Sequence, residues 1–233
     1  MSKLTFKIPA LVLLAALVAG IGNSLTGIIL SSQAQREAAT IQLSTVATKR
    51  AKALQDYLDA IEIDLVTLST SPVAYEAIVE FKGGWTEFFA QEPTKALQAA
   101  YITDNPHPTG SKDELDRAAG DASYHQTHAH FHPWYRTFLR SKGFYDIFLF
   151  DTNGNLVYTV FKELDYATNF NDGPYAQSGL GRVYRAAMSA PNEVHFDDFE
   201  PYEPSFGAPA SFVATGVKDI DGNLTGLVSE LVV

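Results

Sequence analysis

From residue 8 to residue 30 the chain carries no charged side chain. At about 1.5 Å of rise per residue, a helix of that length crosses the roughly 30 Å hydrocarbon layer of a bilayer. A cleaved leader is the rival reading, because Lys3 and Lys7 suit a basic flank and Ala34 suits a small-residue cleavage motif. The apolar run is longer than the roughly 7–15 residues usual for a leader, although Asn23, Ser24 and Thr26 dilute its second half, so an uncleaved span is the expectation. The broad charge count does not set its direction, since Arg36, Lys49 and Arg50 beyond the span balance Lys3 and Lys7 before it. Close to the span, basic residues touch only the N-terminal edge. Residues 1–7 are therefore expected in the cytoplasm, residues 8–30 in the inner membrane as a single span, and the remainder in the periplasm. Ala15 with Ala19 and Ala16 with Gly20 suit close approach of two such helices, and suit ordinary membrane-helix composition equally well.

Composition removes several classes of function. The net charge is -10 over 233 residues, the opposite of the basic surface that nucleic acids require. With no cysteine there is no disulfide, no thiolate metal site and no lipidated N-terminal cysteine. Beyond the apolar run, Ala47, Ala51, Leu54, Leu58, Ile61, Leu65 and Leu68 recur at alternating spacings of four and three, a seam like that of a coiled coil. Lys49, Lys52, Gln55, Asp56, Asp59 and Glu62 lie opposite it, so this helical stalk wants an apolar partner on one side. A second copy of the chain, giving a homodimer, and later helices of the same chain both satisfy that demand. Ser71-Pro72 restarts the helix, Gly83-Gly84 predicts a break before a further helical stretch at residues 85–101, residues 103–110 predict a loop, and a helix is expected from about Ser111.

The periodicity changes at Phe144. FYDIFLF, the turn DTNGN and LVYTVF predict one hairpin; SFVATGV, the turn DIDGN and LTGLVSELVV predict another. A helix over residues 174–189 and a short strand over residues 193–199 fall between them. The expected class is α+β: an N-terminal membrane helix over residues 8–30, a helical region over residues 31–140, and a five-stranded antiparallel sheet with covering helices over residues 141–233. That order matches the plan of PAS-like and Cache-type domains.

Particular stretches carry a closer likeness: FYDIFLFDTNGNLVYTVFKELDYATNF, NDGPYAQSGL and DFEPYEPSFGAPASFVATGV, with YITDNP and YHQTHAHFHPWYRTFL upstream. Over residues 101–233 the chain resembles the extracytoplasmic Cache or PAS-like sensor regions of proteobacterial methyl-accepting chemotaxis proteins, an input shared with some membrane cyclases and histidine kinases. The resemblance implies capture of a small molecule outside the cytoplasm, with output through further segments. Such receptors continue through a second span, a linker and a signalling domain, whereas this sequence stops at Val233. Truncation is one expectation; a membrane-tethered adaptor acting on a separate partner is the other.

Two loops offer candidate ligand contacts. Lys162, Asp165 and Asn169 follow a predicted strand: an ammonium suits a carboxylate, Asp165 suits an amine or hydroxyl, and Asn169 both donates and accepts. An ordinary solvated loop, with Lys162 and Asp165 as a surface ion pair of little weight, is the bland reading. Tyr175 either covers a pocket or packs on the sheet. In the second loop, Tyr202 and Ser205 supply hydroxyls and Phe199 and Phe206 apolar walls. His125, His128 and His132 would share one helix face, inviting zinc, nickel or copper. No glutamate completes an HExxH pattern there and Pro133 restricts the backbone of His132, so the expectation is no metal and structural histidines. With no GxSxG elbow, no phosphate loop and no cofactor motif, no enzyme is expected.

Overall fold

The computed structural model describes residues 4–232, so Lys3 and Val233 lie outside the described residues. Its helices are α1 (Leu4–Ser69), α2 (Pro72–Thr86), α3 (Pro93–Gln98), α4 (Ser123–Lys142) and α5 (Gly179–Ser189). The strands are β1 (Asp146–Asp151), β2 (Leu156–Thr159), β3 (His195–Tyr202), β4 (Ala208–Lys218) and β5 (Leu224–Val232). They form one antiparallel sheet in the order β2-β1-β5-β4-β3, which gives the expected α+β class.

The chain divides into two compact units, one up to Leu58 and one from Asp59 onward. In the first, α1 contains a stretch long and apolar enough to cross a membrane, by length and composition, and its apolar side chains are exposed. The predicted seam is split between the units. Ala47, Ala51 and Leu54 are exposed and Leu58 is half-buried, whereas Ile61, Leu65 and Leu68 are buried within the core of the second unit. Packing within the chain thus takes the last three seam positions.

Both faces of the sheet are covered, which explains why β1 and β2 are buried at every position. Alternate residues point to opposite faces. Ile147 and Leu149 join the core that contains Ile78, Phe81 and Tyr135 of the helices, while Phe148 and Phe150 pack with Leu180, Val183 and Tyr184 of α5. Gly226 permits the close packing of β5, since a Cβ there would lie 2.1 Å from the Phe150 carbonyl oxygen.

The break expected at Gly83-Gly84 does not occur, because α2 continues to Thr86. A Cβ on Gly84 would lie 2.7 Å from the Tyr124 backbone, so this glycine lets α2 and α4 touch. Irregularity comes later instead. Residues 85–101 are not one helix: Phe89–Gln91 is a 3-10 turn and Ala99–Thr103 a π-type turn flanking the short α3. The helix expected from about Ser111 is only the 3-10 turn Lys112–Glu114, because the chain then runs extended through Leu115 and α4 begins at Ser123. Strand β2 stops at Thr159, two residues before the predicted end, because the Val160 amide turns to the Asp146 carboxylate (2.8 Å).

Glu230 on β5 is fully buried and neither carboxylate oxygen has a hydrogen-bond partner. Burial pushes its carboxyl up to about 9; the Asp64 carboxylate adds to the rise and Lys142 opposes it. Lys142 itself pairs with Asp64 at 2.7 Å. The folded state therefore holds a proton that the unfolded chain, near the ordinary value of 4.5, releases. The stabilisation is complete below that value and is lost as pH rises toward about 9. We predict that Glu230→Gln gains stability over the parent chain as pH rises from 5 to 9, by at most about 1.4 kcal/mol per pH unit. Thermal unfolding of both proteins across that range is the measurement; a constant difference would refute the assignment.

Candidate functional site

The segment after β2 does not lie on the surface. Lys162 and Asp165 are 2% and 0% exposed, which rules out the alternative of a surface ion pair. Lys162 adopts a left-handed backbone conformation, φ 59°, a strain of about 1–3 kcal/mol for a non-glycine residue. That turn sends its ammonium inward, where it donates to the Thr159 carbonyl. Three tyrosine rings surround it, with centroids at 4.4 Å (Tyr158), 5.2 Å (Tyr166) and 5.8 Å (Tyr101). Burial lowers its pKa, and the neighbouring Asp146 carboxylate opposes that shift.

Asp146 stands at the start of β1 and accepts from the Ile147 amide (2.7 Å), the Val160 amide and the Thr159 hydroxyl. Burial raises its pKa despite those donors, and the charges of Asp165 and Glu163 raise it further. Asp165 accepts from the Tyr202 hydroxyl at 2.5 Å through Oδ2, while Oδ1 has no hydrogen-bond partner. Burial pushes its carboxyl up to about 7. Glu163, raised chiefly by its own burial, accepts from the Ser205 hydroxyl (2.6 Å) and the Tyr145 hydroxyl (3.0 Å). Three carboxylates thus gather at the end of the sheet where β1 begins and β2 ends.

A cavity of about 420 Å³ opens beside them. Ile102, Tyr145, Phe161, Leu164, Pro204 and Phe206 form its apolar walls, and Lys112, Lys162 and Glu163 contribute charge. Tyr145 and Phe161 stack with centroids 5.4 Å apart, and Phe206 stands 81% exposed at the lip. The volume suits a small metabolite, and the mixture of apolar wall with a few polar groups is that of a ligand site.

Of the residues singled out in the sequence, Lys162 lines the cavity, Ser205 touches its Glu163, and Asp165 and Tyr202 form the buried pair behind it. Tyr175 is half-buried against the α5 side of the sheet, and its hydroxyl is raised by burial and then by the charges of Glu203 and Asp165. Asn169 is engaged elsewhere: its Nδ2 donates to Asn153 O (3.0 Å) and Asn155 Oδ1 (2.9 Å), clamping the β1–β2 turn. Asp146, Tyr145 and Lys112 were not anticipated. A charged residue opening an otherwise apolar strand was the signal available for Asp146.

His125, His128 and His132 do share one face of α4, and that face is buried. His132 donates from Nε2 to the Asp113 carbonyl (2.6 Å) and accepts from the Tyr158 hydroxyl through Nδ1 (2.7 Å). His128 donates from Nδ1 to the Asp116 carbonyl (2.7 Å), and His125 bonds the Tyr101 hydroxyl. Burial, then the Lys162 charge, holds His128 and His132 far below the ordinary imidazole range, so both rings are neutral at pH 7. Among the described residues no group of three or more metal-binding side chains is arranged around a common point.

No protein-family model and no curated protein matches the chain. Among solved structures it is similar to the sensor domain of Escherichia coli DcuS, with 12% identity and a TM-score of 0.36, covering 76% of this chain and 89% of that one. The sensor domain of the Vibrio cholerae histidine kinase DctB gives 12% identity and a TM-score of 0.36 over 66% of this chain and 55% of that one. The ligand-binding domain of the Pseudomonas fluorescens chemoreceptor CtaA, in complex with L-serine, gives 16% and 0.29 over 78% and 60%. The chain thus spans little more than half of the DctB and CtaA domains.

The Asp165–Tyr202 pair makes a direct test of this interior. Tyr202→Phe leaves Asp165 without its hydroxyl donor and is expected to cost about 1–3 kcal/mol, the price of an unsatisfied buried polar group. Adding Asp165→Asn should cost less than the sum of the two single changes. A double-mutant cycle from thermal unfolding at neutral pH measures the coupling; additivity would show that the pair does not interact.

Proposed function

We propose that this chain is the ligand-sensing input of a transmembrane signalling protein, held in the inner membrane by residues 8–30 with its α+β domain in the periplasm. Its role is reception of a small molecule, not catalysis. The observation that carries the reading is the half-enclosed cavity between the loops at one end of the sheet, with stacked aromatic walls and a carboxylate already oriented by two hydroxyl donors. The buried groups behind it are fixed by hydrogen bonds and tyrosine faces, an arrangement that presents a preformed surface to a ligand.

The finer reading is a receptor of the methyl-accepting chemotaxis kind, supported by the sequence resemblance over residues 101–233. The exposed part of the α1 seam, around Ala47, Ala51 and Leu54, supports a homodimer. Signal output needs a ligand that prefers one conformation, because equal affinity for two states shifts neither. The cavity has a route to the terminal strand: Tyr145, a wall residue, donates its backbone amide to Leu231 of β5 at 3.0 Å. A ligand that draws Tyr145 inward pulls on that strand.

Thermal unfolding of the full chain in detergent, screened against a panel of amino acids, organic acids, amines and sugars, tests the reading. At a ligand concentration about 100-fold above its Kd the native state gains about 2.7 kcal/mol, a readily measured rise in Tm. The rise should vanish in Tyr145→Ala and Phe161→Ala. A panel without a single hit would refute the sensing function; a hit unchanged by both substitutions would refute this cavity as its site.

A further inference from the structure

Three charged side chains line the cavity, and they differ in what each can offer a ligand. Glu163 accepts the Tyr145 hydroxyl on one oxygen and the Ser205 hydroxyl on the other, so its carboxylate joins β1 to the turn at Glu203–Ser205. Burial raises its pKa, which means its surroundings oppose the negative charge. Lys162 is 2% exposed, and its Nζ donates to the Thr159 carbonyl from within the cage of Tyr101, Tyr158 and Tyr166.

Lys112 has more to give. It is half-buried, on the part of the wall that the segment between α3 and α4 contributes with Ile102, Thr109 and Gly110. Its Nζ donates to Ile102 O at 2.7 Å and Asn105 O at 3.2 Å. Buried Asn105 in turn donates from Nδ2 to Tyr101 O at 2.9 Å and to Lys112 O at 3.0 Å. The ammonium is therefore held in place before any ligand arrives, which lowers the entropic cost of using it. An ammonium has three N–H donors, so one remains, and carbonyl acceptors leave its charge in full. Asp113 and Glu114, beside it in sequence, both pair with Arg140 at 2.7 Å. No carboxylate among the described residues lies within ion-pair distance of either cavity lysine. Unpaired positive charge thus faces a partly dehydrated space, where attraction is screened less than in water. An anionic group gains there, and an ammonium is repelled by both lysines. One carboxylate is the limit, because the remaining wall is Ile102, Phe161, Leu164, Pro204 and Phe206, and a second would meet Glu163.

Resting on the sensing role proposed for this cavity, we infer that it captures a small monocarboxylate with an apolar or aromatic body, and that Lys112 holds the carboxylate. The body lies along the stacked Tyr145 and Phe161 rings and the exposed Phe206.

Four probes with one common body separate the charge classes: 3-phenylpropionate, phenethylamine, phenylalanine and 2-phenylethanol. Isothermal titration of the full chain in detergent should show 3-phenylpropionate binding about tenfold or more tightly than each of the other three, the worth of one hydrogen bond to a charged group. Lys112→Met should remove that advantage and leave 2-phenylethanol unchanged, whereas Lys112→Arg should keep it. If Lys112→Met also loses 2-phenylethanol, the parent ranking together with Lys112→Arg decides. Equal or tighter binding of phenethylamine or phenylalanine overturns the inference and leaves the sensing role standing, as does an advantage that survives Lys112→Met. The inference also falls, without that role, if aromatic and aliphatic monocarboxylates all fail while another class in the metabolite panel binds. Silence across the whole panel overturns both.

Discussion

The Asp146 carboxylate fixes the geometry on which this end of the molecule depends. By accepting from the Ile147 and Val160 amides and the Thr159 hydroxyl, it ties the start of β1 to the end of β2 and turns the chain out of the sheet at Val160. The next residues then cross the end of the sheet instead of extending it. Lys162 enters the left-handed region, its ammonium passes inward, and Glu163 and Leu164 reach the cavity wall. Without a buried acceptor at position 146, the amides released by the early stop of β2 would be left without partners in an apolar interior.

Such a polar interior is costly, and the structure offsets the cost locally. Burial opposes ionisation of Asp146, Glu163, Asp165 and Lys162 alike, and each is held by hydroxyls, amides, a carbonyl or aromatic faces. Pairing in a dehydrated setting adds little net stability compared with apolar packing, because desolvation consumes most of the Coulombic gain.

Much of this architecture was legible beforehand. Hairpin turns at Asn153-Gly154 and Asp221-Gly222 and the change of periodicity at Phe144 gave the strands, since these signals are local. The loops carrying Lys162, Asp165, Tyr202 and Ser205 stand out as candidate ligand contacts, with an ordinary solvated loop as the alternative, and neither reading foresees their burial. Their burial depends on contacts far apart in sequence: Tyr202 reaches Asp165 across 37 residues and Ser205 reaches Glu163 across 42. No periodicity reports such pairings. Gly84 misled for a related reason, since a glycine that ends a helix and one that admits a neighbouring backbone look alike until the neighbour, Tyr124, is in place. Asn169 showed the opposite ambiguity: its capacity to donate and accept was read correctly, but the β1–β2 turn uses it.

The placement of the cavity bears on how a binding event leaves the domain. Tyr145 is both a wall residue and the amide partner of Leu231, so the cavity and the last strand share a residue. One position before Leu231, Glu230 points to the opposite face, where burial raises its carboxyl, Asp64 of α1 adds to the rise and Lys142 of α4 opposes it. Strand β5 therefore carries side by side Leu231, the partner of a cavity-wall residue, and Glu230, which is sensitive to the charges of Asp64 and Lys142. A shift of β5 changes the distance from Glu230 to the Asp64–Lys142 ion pair. Because the Glu230 carboxyl has no hydrogen bond to resist the movement, the cost falls on packing and desolvation alone. A movement of β5 is thus felt at Asp64 of α1 through buried charge.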